Sequence, residues 1–492
     1  VKHLSFLPAA VAAIAVTVPA FAQGYYSGTQ GARAAGRAGA FTARADDVSA
    51  VELNPAGLAN IGRTLVQIGN RFSHNGYDFA RQSTLDWGHP VNGSPALVQF
   101  DTVRNGKPWQ YLDPMIGVAS NLGLKDWGFA IAAYAPAGIA RTQYPADGGQ
   151  RYMMLTRDSQ ILNYTASIAW KLRDVFGVGA TFQWIAVPSL KYQLIVNGDP
   201  TARLPSTSES PVRNGMDMRA TVSGSDAFTP NLILGAWYRP SRYLQWGISA
   251  QVIPASMRIK GSLAVDPVSL GDDEVIVLRR DRRPANDVTL SLPLPIKLRE
   301  GVRYRHLRDG REVFDIELNV AYEFWSRVKE FTMDTNGITA YWGQQTVPVG
   351  RIDIRKQWKN TVSIMLGGDY AVAPNFLTVR AGTFYTSAVS DPGYTQIDFV
   401  SGKQLGGTLG FSLFAGGLEV AAAYEYRHMI PVTVTEQQGR VYQQAPASPC
   451  APPYTSPTLC NPHYQGIPAP VVNAGTYRAG SQVAALDLLY RF

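Results

Sequence analysis

Residues 314–324 read FDIELNVAYEF, in which Phe314, Ile316, Leu318, Val320, Tyr322 and Phe324 alternate with Asp315, Glu317, Asn319, Ala321 and Glu323. A period of two with one wholly apolar face is the mark of a β-strand with two unlike sides. Carboxylates on one face and aromatic rings near the ends of the other suit a strand placed between lipid and a polar lumen. The pattern returns at 361–370 and 419–427, and again at the C-terminus, where Leu486, Leu488, Tyr490 and Phe492 oppose Asp487 and Arg491.

A soluble sandwich also alternates, so the connections decide between the two. Strands are expected near 64–74, 113–123, 126–136, 158–172, 175–187, 229–239, 243–263, 285–305, 312–332, 358–371, 375–387, 404–414, 417–435 and 481–492. Short turns such as Arg239-Pro240-Ser241-Arg242, Ala373-Pro374-Asn375 and Gly416 alternate with long stretches at 75–112, 188–228, 333–357 and 436–480. This predicts an all-β fold, a 14-stranded antiparallel transmembrane β-barrel with both termini in the periplasm.

Composition agrees. Only 17% of the 492 residues are charged, against 46 Gly, 24 Tyr, 19 Phe and 10 Trp, a balance fitting sheet and turns better than a soluble helical enzyme. Val1-Lys2-His3, an apolar run from Leu4 to Ala20 and the exit site Ala20-Phe21-Ala22 predict a signal peptide over 1–22. Beyond residue 22 no apolar run reaches the roughly 18 residues that a spanning helix needs. The net charge of +8 is scattered, with no basic helix or stacking module, which argues against nucleic acid. Cys450 and Cys460, ten apart in a Pro-rich loop, predict a disulfide rather than a metal site, because His463 would supply only a third ligand. That loop joins the last two strands and is expected outside the cell.

Residues 23–63 precede the first strand and are dominated by Gly and Ala, too little apolar bulk for a core of their own. A ring of this many strands encloses space that its own side chains do not fill, so the segment has an obvious place inside the lumen. Asn54-Pro55 can turn the chain there, or on an ordinary surface. The run GARAAGRAGAFTARADDVSAVELNPAGLANI (31–61) closely resembles the N-terminal hatch of the FadL/TodX family, outer-membrane transporters for long-chain fatty acids and aromatic hydrocarbons, including its Asn54-Pro55-Ala56 motif. The likeness extends to WGFAIAAYAPAGIA (127–140), LPLPIKLREGVRY (292–304) and WKNTVSIMLGGDYAVAPNFLTVRAGTFY (358–385), which look like the family's third, eighth, and tenth and eleventh strands.

The resemblance implies a signal peptide at 1–22, a hatch or plug at 23–63, a barrel at 64–492, and passive uptake of hydrophobic small molecules with no cofactor. It also implies that Gly24-Tyr25-Tyr26 reaches the ligand pocket and that the third strand carries an inward kink used for sideways exit. Tyr134-Ala135-Pro136-Ala137-Gly138 is the candidate lateral gate: Pro136 has no ladder donor and Gly138 no side chain to fill the wall, unless the proline merely ends the strand. Lumen-facing Arg380 and Arg427 could serve a substrate carboxylate or pair with Asp369, Glu419 or Glu425. No Gly-x-Ser-x-Gly elbow, His-Glu-x-x-His or phosphate loop occurs, so no catalytic residue is assigned; an outer-membrane hydrolase and a general porin stand as alternatives. Expected partners are outer-membrane lipid and lipopolysaccharide, and the barrel assembly machinery through Tyr490 and Phe492, with the protein a monomer.

Overall fold

The computed structural model describes residues 29–91, 94–136, 139–197, 217–268, 276–342, 345–399, 402–442 and 471–492. The signal segment 1–22, Gly24-Tyr25-Tyr26, Ala137, Gly138, Cys450 and Cys460 lie outside the described residues.

Fourteen antiparallel wall strands close into a barrel. They are β1 (Leu65–Arg81), β2 (Val103–Arg104, Trp109–Gln110 and Pro114–Ser120), β3 (Trp127–Tyr134, resuming at Ile139–Gln143), β4 (Thr156–Leu172) and β5 (Phe176–Asn197). Next come β6 (Asp217–Tyr238), β7 (Leu244–Gln251 and Ser256–Pro267), β8 (Asp287–Pro293 and Lys297–Arg308), β9 (Arg311–Glu323 and Glu330–Asp334) and β10 (Ile352–Arg355 and Thr361–Ala373). The ring ends with β11 (Leu377–Thr386), β12 (Gln404–Ala415), β13 (Leu418–Met429 and Val432–Val434) and β14 (Gly475–Arg491). β14 pairs with β1 from Leu65↔Arg491 to Arg81↔Gly475, so the sheet has no free edge.

The wall is inverted relative to a soluble protein. Ile68, Ile131, Leu409 and Leu488 face outward and exposed, while Gln67, Glu317, Asp315 and Asp487 are buried inside. Lipid is the solvent for the first set, and the lumen with its plug solvates the second.

Strand extents differ from the sequence expectation in two ways. β5 and β6 run far into the stretch read as a loop at 188–228, because a bulge between Ile185 and Leu190 absorbs Pro188 and the ladder then continues to Asn197↔Asp217. The expected strands 243–263, 285–305 and 312–332 are each broken, at Val252–Ala255, Leu294–Ile296 and Phe324–Lys329. Pro254 and Pro295 remove ladder donors at the first two breaks, and a 3-10 turn at Trp325–Arg327 interrupts the third. The loops also hold a hairpin (Thr84–Val91 with Ser94–Val98) and a separate four-stranded sheet drawn from 276–284 and 338–349.

Residues 29–63, termed the plug below for their position, pack inside the barrel at the short-turn end with two one-turn helices, Ala32–Ala35 and Ala50–Leu53, and a 3-10 turn, Pro55–Asn60. Inward-facing glycines let its backbone lie against the wall. A methyl at Gly235 would come within 2.1 Å of Asn54 Oδ1, and one at Gly367 within 2.2 Å of the Arg37 carbonyl. Neither approach tolerates a side chain.

Candidate functional site

Asn54 anchors the plug. Its backbone is extended, its Oδ1 accepts from Ala56 N at 3.2 Å, and its Nδ2 donates to Thr42 O at 2.8 Å and to Ala236 O on β6 at 3.0 Å. Pro55 starts the 3-10 turn, where a missing N–H is harmless. Trp237 Nε1 donates to Ala56 O at 2.9 Å, so all three residues of the motif are held at the wall.

Charge holds the other flank. Arg37, fully buried, forks onto Asp315 at 2.7 and 3.0 Å and reaches Asp369 at 2.7 Å, while its Nε donates to Ala40 O. Arg44 lies 3.3 Å from Asp315 and 3.2 Å from Asp369, and Arg33 pairs with Asp46, Asp47 and Glu419. Below these pairs lies a polar cavity of about 300 Å³ whose lining includes Arg44, Arg303, Arg305, Glu312 and Asp369. A straight route through this end would drag an apolar molecule past charged groups. Arg380 pairs with Asp369 and Arg427 with Glu425, which places both candidate cations in structural ion pairs.

Toward the long-loop end the interior changes character. Ile161, Ile185, Val187, Met257, Trp325, Phe331 and Trp358 form one apolar cluster, and Tyr77, Phe79, Tyr144, Met153 and Tyr477 contribute to another. Sequence reading did not single out the charged group beside them. Lys356 Nζ donates to Asp398 and lies 4.9 Å from the centroid of the Phe331 ring; Arg157 lies 4.6 Å over Phe399 and donates to the Asp398 carbonyl. Burial pushes the Lys356 ammonium below its ordinary range, opposed by the Asp398 carboxylate. Two cations to one carboxylate leave this group a net positive charge in apolar surroundings. Lys356 and Asp398 are 42 positions apart and Arg157 lies on β4, so no local pattern links them.

The wall itself is interrupted beside the plug. β2 and β3 pair from Ser120↔Phe129 up to Met115↔Tyr134, and Ala135 N still donates to Pro114 O. Above that point the upper piece of β3 pairs with β4, and among the described residues a link to the β2 side returns where Gly106 N donates to Gln143 O and Gln143 N to Asn105 Oδ1. Trp109, Tyr111 and Leu112 stand exposed along this interval. From the plug, Gln30 Nε2 donates to Ala135 O at 2.9 Å and to Asp113 at 3.2 Å, while Arg71, paired with Asp113, donates to Thr29 O. Tyr134 and Ala135 are thus at the interruption and Pro136 is buried next to it.

A closed, lipid-facing barrel with its own N-terminal segment packed inside the lumen has the architecture of an outer-membrane channel. Its sequence matches the family model described as outer membrane protein transport protein (OMPP1/FadL/TodX) over residues 13–445, and the chain belongs to that family. The family and the barrel fold indicate a bacterial outer-membrane protein. A FadL homologue from Pseudomonas aeruginosa superposes with a TM-score of 0.70 at 16% identity, covering 96% of this chain and 100% of that one. The Pseudomonas putida toluene transporter TodX gives 0.62 at 13% identity over 96% and 99%, and the Ralstonia pickettii toluene transporter TbuX gives 0.57 at 14% over 96% and 98%. No curated protein sequence matches the chain.

Proposed function

We propose that this protein admits hydrophobic molecules by passive diffusion and releases them sideways into the membrane between β2 and β3. The observation that carries the reading is that, among the described residues, the β2–β3 ladder ends at Met115↔Tyr134, next to a plug bonded to the same corner through Gln30 and Ala135. A molecule gathered in the apolar upper interior meets buried ion pairs if it continues straight down, and lipid if it leaves through the wall. Nothing in this route needs an energy source. The N-terminal segment up to Gln30, which includes Gly24-Tyr25-Tyr26, would have to yield for the path to open. On this reading residues 23–63 are the moving part and 64–492 the wall, after removal of 1–22.

Among hydrophobic molecules, the net positive group of Lys356, Arg157 and Asp398 favours amphiphiles with a carboxylate, such as long-chain fatty acids. The aromatic lining around Phe331, Trp358 and Phe399 supports aromatic hydrocarbons as a second class, in line with the toluene transporters TodX and TbuX. Outer-membrane lipid would receive the released molecule, and the exposed Tyr490 and Phe492 at the end of β14 suit recognition by the assembly machinery.

The test is uptake of radiolabelled oleate and toluene by cells lacking their own channel, with sucrose-driven liposome swelling as the porin control. Wild type should take up at least one apolar probe and give no swelling. Gly138→Trp, a bulky change two positions after Pro136 in the sequence, should block uptake in a folded barrel. Sucrose swelling, or unimpaired uptake by Gly138→Trp, would reject respectively the plugged channel and the lateral route.

A further inference from the structure

The corner where the wall ladder stops carries polar atoms with nothing to bond. Asn163 on β4 faces inward, directly opposite Tyr134 of β3, and is 1% exposed. Among the described residues neither its Oδ1 nor its Nδ2 has a hydrogen-bond partner. Gln30 of the plug, also 1% exposed, spends its Nε2 on Ala135 O and Asp113, yet its Oε1 has none. Buried amides are almost always paired, and an unpaired one needs a reason. Neighbouring polar groups do find partners: Tyr134 Oη accepts from Gln183 Nε2, Asn231 Nδ2 donates to Gln183 Oε1, and Thr165 Oγ1 donates to Ala132 O. The charged groups touching this corner, Arg71 and Asp113, are bonded to each other.

We propose that Asn163 and Gln30 form a neutral amide site that binds the protonated carboxyl group of a substrate as it leaves between β2 and β3; this rests on the lateral-release reading with a carboxylic acid as substrate. The complementarity is chemical. A neutral carboxylic acid presents one O–H donor and one carbonyl acceptor, which together match the donor Nδ2 and acceptor Oδ1 of Asn163. A carboxylate has no donor, so the amide oxygens Oδ1 and Oε1 would stay unpaired and face like partial charge. Lipid makes the same demand, because a bare carboxylate is far costlier to move into hydrocarbon than its protonated form. The proton comes from water through the ordinary acid–base equilibrium, which the site displaces by binding one of its two forms. Cations around Lys356 would collect the ionised acid on the outer side, and the amides would take the neutral acid at the exit.

The experiment uses the full chain in outer membranes of cells lacking their own fatty-acid channel, with labelled oleate and labelled toluene as probes and heat-shifted gel migration as the check of folding. Asn163→Leu should lower initial oleate uptake about ten-fold, the loss of two hydrogen bonds, and leave toluene uptake unchanged within about two-fold. Gln30→Leu, on the plug and outside the wall ladder, should act in the same direction more weakly and serves if the β4 variant does not assemble. Asn163→Asp, whose carboxylate ordinarily ionises at about pH 4, should take up less oleate than wild type at every pH from about 5 to about 8, because a charged acceptor replaces the amide donor. Equal loss of both probes, or no change in either, overturns the site and leaves Asn163 with structural or water contacts. A wild type that carries toluene but not oleate also overturns it while sparing the channel, and one that carries neither removes the transport reading before any variant is made.

Discussion

Gly235 on β6 lies directly beneath Asn54 of the plug, so close that a β-carbon at 235 would sit 2.1 Å from Asn54 Oδ1. Gly235→Ala therefore forces the plug off its seat or the strand outward. Overpacking of this kind costs about 1–3 kcal/mol. The barrel is expected to assemble, with a lowered unfolding temperature and a measurable rise in ion conductance in planar bilayers.

Replacing Asn54 and Pro55 together with Ala removes the bonds to Thr42 O and Ala236 O and the cap on Ala56 N. Each lost bond to a buried group is worth roughly 1 kcal/mol. No lipid-facing residue changes, so surface exposure should equal that of wild type while uptake kinetics shift. A double variant transporting at the normal rate would remove this turn from the mechanism.

Arg37→Met leaves Asp315 and Asp369 with Arg44, Arg303 and Arg380 but without their central partner. Removing one member of a buried ion network costs about 3–5 kcal/mol. The plug should then become cleavable by protease added from the periplasmic side under conditions where the wild-type plug resists. Arg37→Lys should lie between the two, because an ammonium cannot fork onto Asp315 while also reaching Asp369.

Lys356 provides a pH readout. Its pKa is depressed by burial, with Asp398 opposing, so its positive charge is present below that depressed value and lost as pH rises through it. Oleate affinity should fall on the alkaline side before the roughly 10.4 of an ordinary lysine. Lys356→Arg should hold affinity to higher pH, and toluene binding should show no such dependence. Over the same interval the unfolded chain holds the Lys356 proton more tightly than the folded one, so this group's contribution to stability rises with pH.

The connection between β13 and β14 contains Cys450 and Cys460 and leaves the barrel at the end opposite the termini. After mild reduction of intact cells, a membrane-impermeant thiol reagent should label both. No labelling with reduction confirmed would contradict an exposed disulfide in an outer loop.

All fourteen strands were legible because each carries its own record: lipid demands an apolar residue at every second position, and that requirement is met within a dozen residues. FDIELNVAYEF is read correctly without knowing its neighbours. Strand ends were less legible. Pro188 looks like a stop yet sits in a bulge that its neighbours carry through, whereas Pro254 and Pro295 do break their strands; the difference lies in the partner strand and not in the proline. The resemblance to the family's hatch was legible in Asn54-Pro55-Ala56, but where that segment sits was not, because an inward glycine such as Gly235 or Gly367 looks like any other strand glycine until the N-terminal backbone is set against it.

What the sequence determined by itself was therefore the barrel, its strand number and the sidedness of strands such as 314–324 and 419–427, since these follow from local periodicity and connection length. Only the tertiary structure decided which charges are spent and which are left over. Arg380 and Arg427 were visible as lumen cations, yet Asp369 and Glu425 neutralise them, while Lys356 and Arg157 meet Asp398 from distant parts of the chain and keep one charge in excess. The unpaired amide of Asn163 and the unpaired Oε1 of Gln30, as seen among the described residues, belong to the same category. Whether a buried polar atom has a partner depends on what the closed ring brings within about 3 Å of it, and no stretch of sequence contains that distance.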